Sequence, residues 1–123
     1  MFHHIMIGAN DVQASRKFYD AILTTLGHPA GIEDPKGRFF YVSGGNILAL
    51  TSPLDGAAAT HANGGTIGFT AANPEAVDAW HAAGMANGGA ACEDPPGLRQ
   101  NGMYVAYLRD PSGTKICAVH RKA

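Results

Sequence analysis

Charge is scarce in this chain, and cysteine scarcer. Only 15% of the 123 residues are charged, nine Lys and Arg against ten Asp and Glu, for a formal net charge of -1. Such a balance leaves no clustered basic face for a phosphate backbone, which argues against a nucleic-acid partner. The two cysteines, Cys92 and Cys117, have no metal-type spacing and make no disulfide framework, so two free thiols are expected. No apolar run approaches the roughly 18 residues a membrane span needs, and Met1-Phe2-His3-His4 leads into a strand pattern where a leader would carry charge. The expectation is a cytoplasmic protein with no membrane partner. The glycine pairs Gly44-Gly45 and Gly64-Gly65 lack the Lys-Ser/Thr that follows a phosphate loop, so nucleotide binding has no support.

What the chain does have is apolar material, 46% of its residues, enough for one domain of this length to bury roughly two-thirds of its unfolded surface. The clearest local signal is Tyr104 to Val119, which reads as a β-hairpin around Asp110-Pro111-Ser112-Gly113. Pro111 presets φ at the second turn position, and Gly113 tolerates the left-handed backbone that closes such turns. Alternation puts Met103, Val105 and Tyr107 on one side of the first strand, and Lys115, Cys117 and Val119 on one side of the second.

Earlier in the chain, His4 to Ala9 reads as a strand, and Asp11 caps a helix whose apolar face is Val12, Phe18, Tyr19, Ile22, Leu23 and Leu26, with the small Ser15 between. Strands are expected from Arg38 to Ser43 and from Ile47 to Thr51, then an exposed connection over 53–65. The pattern then recurs: a strand from Thr66, an Asn73-Pro74 helix start, and a helix carrying Val77, Trp80, His81 and Met85. Thr66 minus His4, Asn73 minus Asp11, Trp80 minus Phe18 and Gly89 minus Gly27 all equal 62. Gly113 minus Gly45 and Cys117 minus Ala49 equal 68, so six residues are added between Ala90 and Gly102, a segment placed to lie over a site mouth. The reading is one α+β domain over 1–123, with module one at about 1–55 and module two at about 66–121 and about eight strands in all.

The order of elements, His4-Ile5 in the first strand, Ser15-Arg16-Lys17-Phe18-Tyr19 in the helix and the closing Asp-Pro-Ser-Gly hairpin resemble the vicinal oxygen chelate superfamily, the glyoxalase/bleomycin resistance/extradiol dioxygenase group. The resemblance implies two βαβββ modules forming a half-open sheet cup, a small-molecule ligand inside it, and a homodimer. It also implies a divalent metal held by first- and last-strand residues, which the repeat places at His4, Ala49, Thr66 and Cys117. Three of those four positions are non-standard, so the usual His/Glu metal site is not expected to form, which leaves a different divalent-metal site using His4 and Cys117 as a further alternative.

His4 remains as a proton-transfer or hydrogen-bonding group facing the cup. Tyr107 stands where some superfamily members set a tyrosine hydroxyl on the substrate, and these two are the expected catalytic residues. Arg99 can hold a carboxylate or phosphate with paired N–H bonds, and Glu93, Thr66 and Cys117 complete the expected substrate-binding set. Each has a plainer reading: a structural histidine, a cross-strand aromatic, a solvated loop ion pair, a buried apolar thiol. His81 is expected to be structural. The functional expectation is a glyoxalase-like lyase or transferase; the alternative is a non-catalytic protein that sequesters a small molecule, as bleomycin-resistance proteins do.

Overall fold

The computed structural model describes residues 1–121, so the last two residues of the expected domain lie outside the described ones. The first module runs β1 (Ile5–Gly8), α1 (Val12–Thr25), β2 (Ile32–Glu33), β3 (Phe39–Ser43) and β4 (Asn46–Thr51). The second runs β5 (Ile67–Thr70), α2 (Pro74–Ala86), β6 (Ala90–Ala91), β7 (Gly97–Leu98), β8 (Met103–Arg109) and β9 (Lys115–Arg121). Strand order in the first sheet is β1-β4-β3-β2; in the second it is β5-β9-β8-β6, with β7 also paired to β8. The fold is thus α+β, with two mixed sheets that do not close into a barrel.

The internal repeat is exact in register. Met6 lies opposite Ala49 in the parallel β1–β4 pair, and Gly68 lies opposite Cys117 in the parallel β5–β9 pair, the offsets being 68 − 6 = 62 and 117 − 49 = 68. Both helices start as their sequences dictate. The Asp11 carboxylate accepts from Ala14 N at 3.0 Å, and the Asn73 side chain accepts from Ala76 N at 2.8 Å, each satisfying a donor the helix leaves free.

The helices pack against each other and against one face of each sheet. Ser15, Phe18, Tyr19, Ile22 and Leu23 of α1 are buried, as are Val77, Trp80 and Gly84 of α2. The expected α2 stripe needs one correction: Met85 is 45% exposed, and the residue facing inward is Gly84. A Cβ on Gly84 would sit 2.3 Å from Leu108 Cδ1 and 3.3 Å from Ile22 Cγ2. Ile22 and Gly84 are repeat equivalents, 84 − 22 = 62, so a bulky side chain in one module fills the space left by its counterpart in the other. The connection over 53–65 is largely exposed, as expected, and is tied down by Asn10, which donates to Ala59 O and accepts from Ala59 N.

Among the described residues nine strands form where about eight are expected. Three of them, β2, β6 and β7, are two-residue pairings too short to carry an alternating pattern. Two of them, β6 and β7, fall in the inserted segment between Ala90 and Gly102, which lies along the edge of the second sheet through its pairing with β8.

Candidate functional site

The sheet faces differ sharply. On the helix side stand Ile5, Leu48, Leu50, Ile116, Ala118, Ala106 and Leu108, all in or against the hydrophobic core. Opposite faces carry residues of the other parity. In the first sheet these include Met6, Ala49, Phe40 and Val42; in the second they include Gly68, Cys117, Val119, Val105, Tyr107 and Lys115. Ala49, Val105 and Cys117 are buried yet stand outside the core cluster.

A cavity of about 590 Å³ opens at the N-terminal end of β1. Its walls come from the end of α1 and its cap (Leu23, Leu26), the ends of β3 and β4 beside their turn (Ser43, Ile47), and β5 (Ile67, Gly68, Phe69, Thr70). His3, His4 and His28 line it as well. The Nδ1 atoms of His3 and His4 are 2.8 Å apart with the rings nearly perpendicular, so one imidazole donates where the other accepts. His28 Nδ1 lies 2.7 Å from Ser43 Oγ. The lining is therefore mostly apolar, with a few imidazole and hydroxyl groups placed to orient a guest.

A second group gathers on the helix-free face of the second sheet. Tyr107 lies directly opposite Cys117 across β8–β9. The Lys115 ammonium sits 5.0 Å from the centre of the Tyr107 ring and forms an ion pair with Glu93. That pairing raises the Lys115 pKa, mainly through the hydrogen bond to the Glu93 carboxylate. Burial pushes the Cys117 thiol up, against a smaller downward pull from Lys115, so the group is a neutral thiol at neutral pH.

The expected residues therefore fall into separate places. His4 lines the cavity; Tyr107, Cys117 and Glu93 share the second face, joined through Lys115. Thr66 is exposed just ahead of β5. Arg99 is turned back on its own loop, donating to the carbonyls of Gly97, Asp94 and Pro95 at 3.0 to 3.2 Å, which holds the β6–β8 segment in shape. Lys115 and His28 belong to these groups and were not singled out from sequence. The signal for Lys115 was its alternation with Cys117; nothing local marks His28, whose place depends on the α1 exit and the β3–β4 turn.

The residues at the four metal positions do not fit a divalent ion. Ala49 is fully buried and offers a methyl group, Thr66 stands outside β5, and Cys117 holds its proton. Among the described residues, no three His, Cys, Asp or Glu side chains come together as a metal-binding group. No helix among them is long and apolar enough to cross a membrane.

Comparison with known proteins bears on all of this. The model of the Glyoxalase/Bleomycin resistance protein/Dioxygenase superfamily matches residues 1–118. A glyoxalase/bleomycin resistance protein from Albidiferax ferrireducens T118 is 54% identical, covers 99% of each chain, and superposes with a TM-score of 0.95. A glyoxalase-related enzyme from Fulvimarina pelagi shares 21% identity over 98% of this chain and 88% of its own, with a TM-score of 0.80. Lactoylglutathione lyase from Agrobacterium tumefaciens shares 22% over 98% and 92%, with a TM-score of 0.69, a likeness of fold. No curated protein matches.

Proposed function

Because the chain belongs to the Glyoxalase/Bleomycin resistance protein/Dioxygenase superfamily, we propose that it is a glyoxalase-like enzyme of the lyase or transferase kind. It takes a small organic molecule at the cavity beside His4 and does not rely on the family's His/Glu ion. The observation that carries this reading is the cavity itself, about 590 Å³, apolar in most of its lining and bordered by imidazoles at its β1 end. A volume of that order suits a ligand of modest size, and a few convergent polar groups in an apolar wall are what fixes such a ligand's orientation.

His4 is the proposed acid–base residue. Its imidazole already exchanges a hydrogen bond with His3, so a proton leaving a ligand at His4 has a second imidazole beside it. Tyr107 is the proposed second group, acting through its hydroxyl. It stands on the other sheet, so an enzyme using both draws them together across a homodimer, one protomer giving His4 and the other Tyr107. Cys117 and Glu93 would come with Tyr107, and Thr66 would border the junction. Arg99 enters this scheme as the brace of its loop. The two free cysteines accord with a cytoplasmic setting.

A second reading, sequestration without turnover, is favoured by one feature: Ala49 puts a methyl where the family's carboxylate would stand. The test is a thermal-shift screen against thiols, methylglyoxal–thiol adducts and a small antibiotic panel, with and without chelator. A rise in melting temperature with an organic compound, indifferent to chelator, supports the cavity reading. Turnover of that compound separates enzyme from sequestering protein. A shift produced only by a metal and abolished by chelator would overturn it.

A further inference from the structure

His28 and Ser43 reach the cavity from two firm supports. At the end of α1, Gly27 N donates to Thr24 O and His28 N to Leu23 O, each at 3.0 Å, with Gly27 at φ 89, so the residue after the glycine is fixed on the helix. Ser43 ends β3 and lies directly opposite Asn46 across the two-residue turn Gly44-Gly45. Both side chains are half-buried and line the cavity, and they meet there with His28 Nδ1 2.7 Å from Ser43 Oγ. A hydroxyl at that distance from an imidazole nitrogen is a nucleophile with its base already in place.

Donors for a developing negative charge stand beside the hydroxyl. The backbone N–H groups of Gly44 and Gly45 have no backbone acceptor among the described residues. Both glycines are left-handed, at φ 58 and 83, and a Cβ on either would meet nothing within 4 Å, so a guest can come close to this backbone. The Asn46 amide, on the strand partner of Ser43, lines the same cavity. Leu23, Leu26, Ile47 and Phe69 supply an apolar wall for an uncharged group.

We propose that Ser43 and His28 form an acyl-transfer dyad that acts on small uncharged esters with an apolar acyl group. Ser43 Oγ attacks the carbonyl carbon while its proton passes to His28 Nδ1, and the turn N–H groups and Asn46 receive the charge on the carbonyl oxygen. The C–O bond to the leaving group breaks, Nδ1 returns the proton to it, and it departs as an alcohol with the acyl group left on Oγ. Water, giving a proton to Nδ1, then attacks the acyl carbon and releases the acid and the free serine. The dyad rests on the cavity being a ligand site, and differs from the proposal above in the residues that react.

The experiment is treatment of the full chain with diisopropyl fluorophosphate, in which a serine oxygen displaces fluoride at phosphorus, followed by mass spectrometry of the intact chain and its peptides. A single adduct on Ser43 is expected, and none in the urea-unfolded chain. His28→Gln, which keeps a hydrogen-bonding side chain but no base, should slow labelling about 100-fold or more. Added imidazole should restore part of the rate in His28→Ala. The wild-type and urea arms decide the matter if a His28 variant does not fold. No adduct on Ser43, equal labelling in urea, or an undiminished rate in folded His28 variants would each overturn the dyad. A melting-temperature rise with an organic ligand but no labelling refutes the dyad and leaves the cavity reading standing; labelling without any such rise does the reverse.

Discussion

The Tyr19 hydroxyl donates to Asp110 Oδ2 at 2.7 Å, and both residues are buried. This bond crosses 91 positions of sequence, from the helix of module one to the hairpin turn of module two. The other oxygen, Oδ1, accepts from the backbone N–H groups of Ser112 and Thr114 at 2.8 and 2.9 Å. One carboxylate therefore sets the turn and fastens it to the first module.

Tyr19→Phe should destabilise the protein by about 1–3 kcal/mol, because it strips a buried carboxylate oxygen of its donor. Asp110→Ala should cost more, since it leaves three donors without an acceptor. Urea unfolding monitored by circular dichroism measures both; equal losses in the two variants would contradict the shared-hub role.

Alkaline pH should attack the same region. Burial, then the Asp110 charge, raise the Tyr19 pKa well above 10.0, and burial and Asp20 raise that of Tyr41, whose hydroxyl donates to Asp20 Oδ1 at 2.7 Å. Both folded-state pKa values exceed the unfolded value, so the unfolded chain loses these protons first. The stabilisation is complete below the unfolded pKa and falls as pH rises above about 10. Stability measured from pH 9 to 11.5 should decline, and Tyr41→Phe should make the decline shallower.

Two glycines should fail for different reasons. Gly84→Ala forces a methyl into Leu108 at the meeting of α2, α1 and β8, and should cost about 1–3 kcal/mol by overpacking. Gly113 has φ 92 and only ordinary contacts around a Cβ, so Gly113→Val should cost about 1 kcal/mol or more from backbone strain alone. Melting curves distinguish them if Gly84→Ala is partly rescued by Leu108→Ala while Gly113→Val is not.

Most of the fold was legible in the sequence because its signals are local. Asp11 and Asn73 announce the helix starts, Asp110 to Gly113 announces the turn, and a constant offset aligns the modules. The α2 stripe reads wrongly at Met85 because a glycine carries no hydrophobic signal, though close helix packing requires one at 84. The short strands β2, β6 and β7 exist through pairing with the longer strands β3 and β8, not through their own pattern. The candidate site was harder to see. Alternation set Lys115 beside Cys117, but its meeting with Glu93 depends on how the inserted segment folds back. Arg99 looked available because its acceptors are backbone carbonyls, which a sequence does not display.

The most direct test of the cavity reading is the melting-temperature rise produced by the best organic ligand of the screen, measured in the wild type and in His4→Ala and Ile47→Trp. His4 and Ile47 line the cavity, one offering a polar group and the other a wall that a tryptophan would fill. The account predicts a chelator-independent rise in the wild type, a smaller one in His4→Ala, and none in Ile47→Trp. A full rise in both variants would place the ligand elsewhere and contradict it.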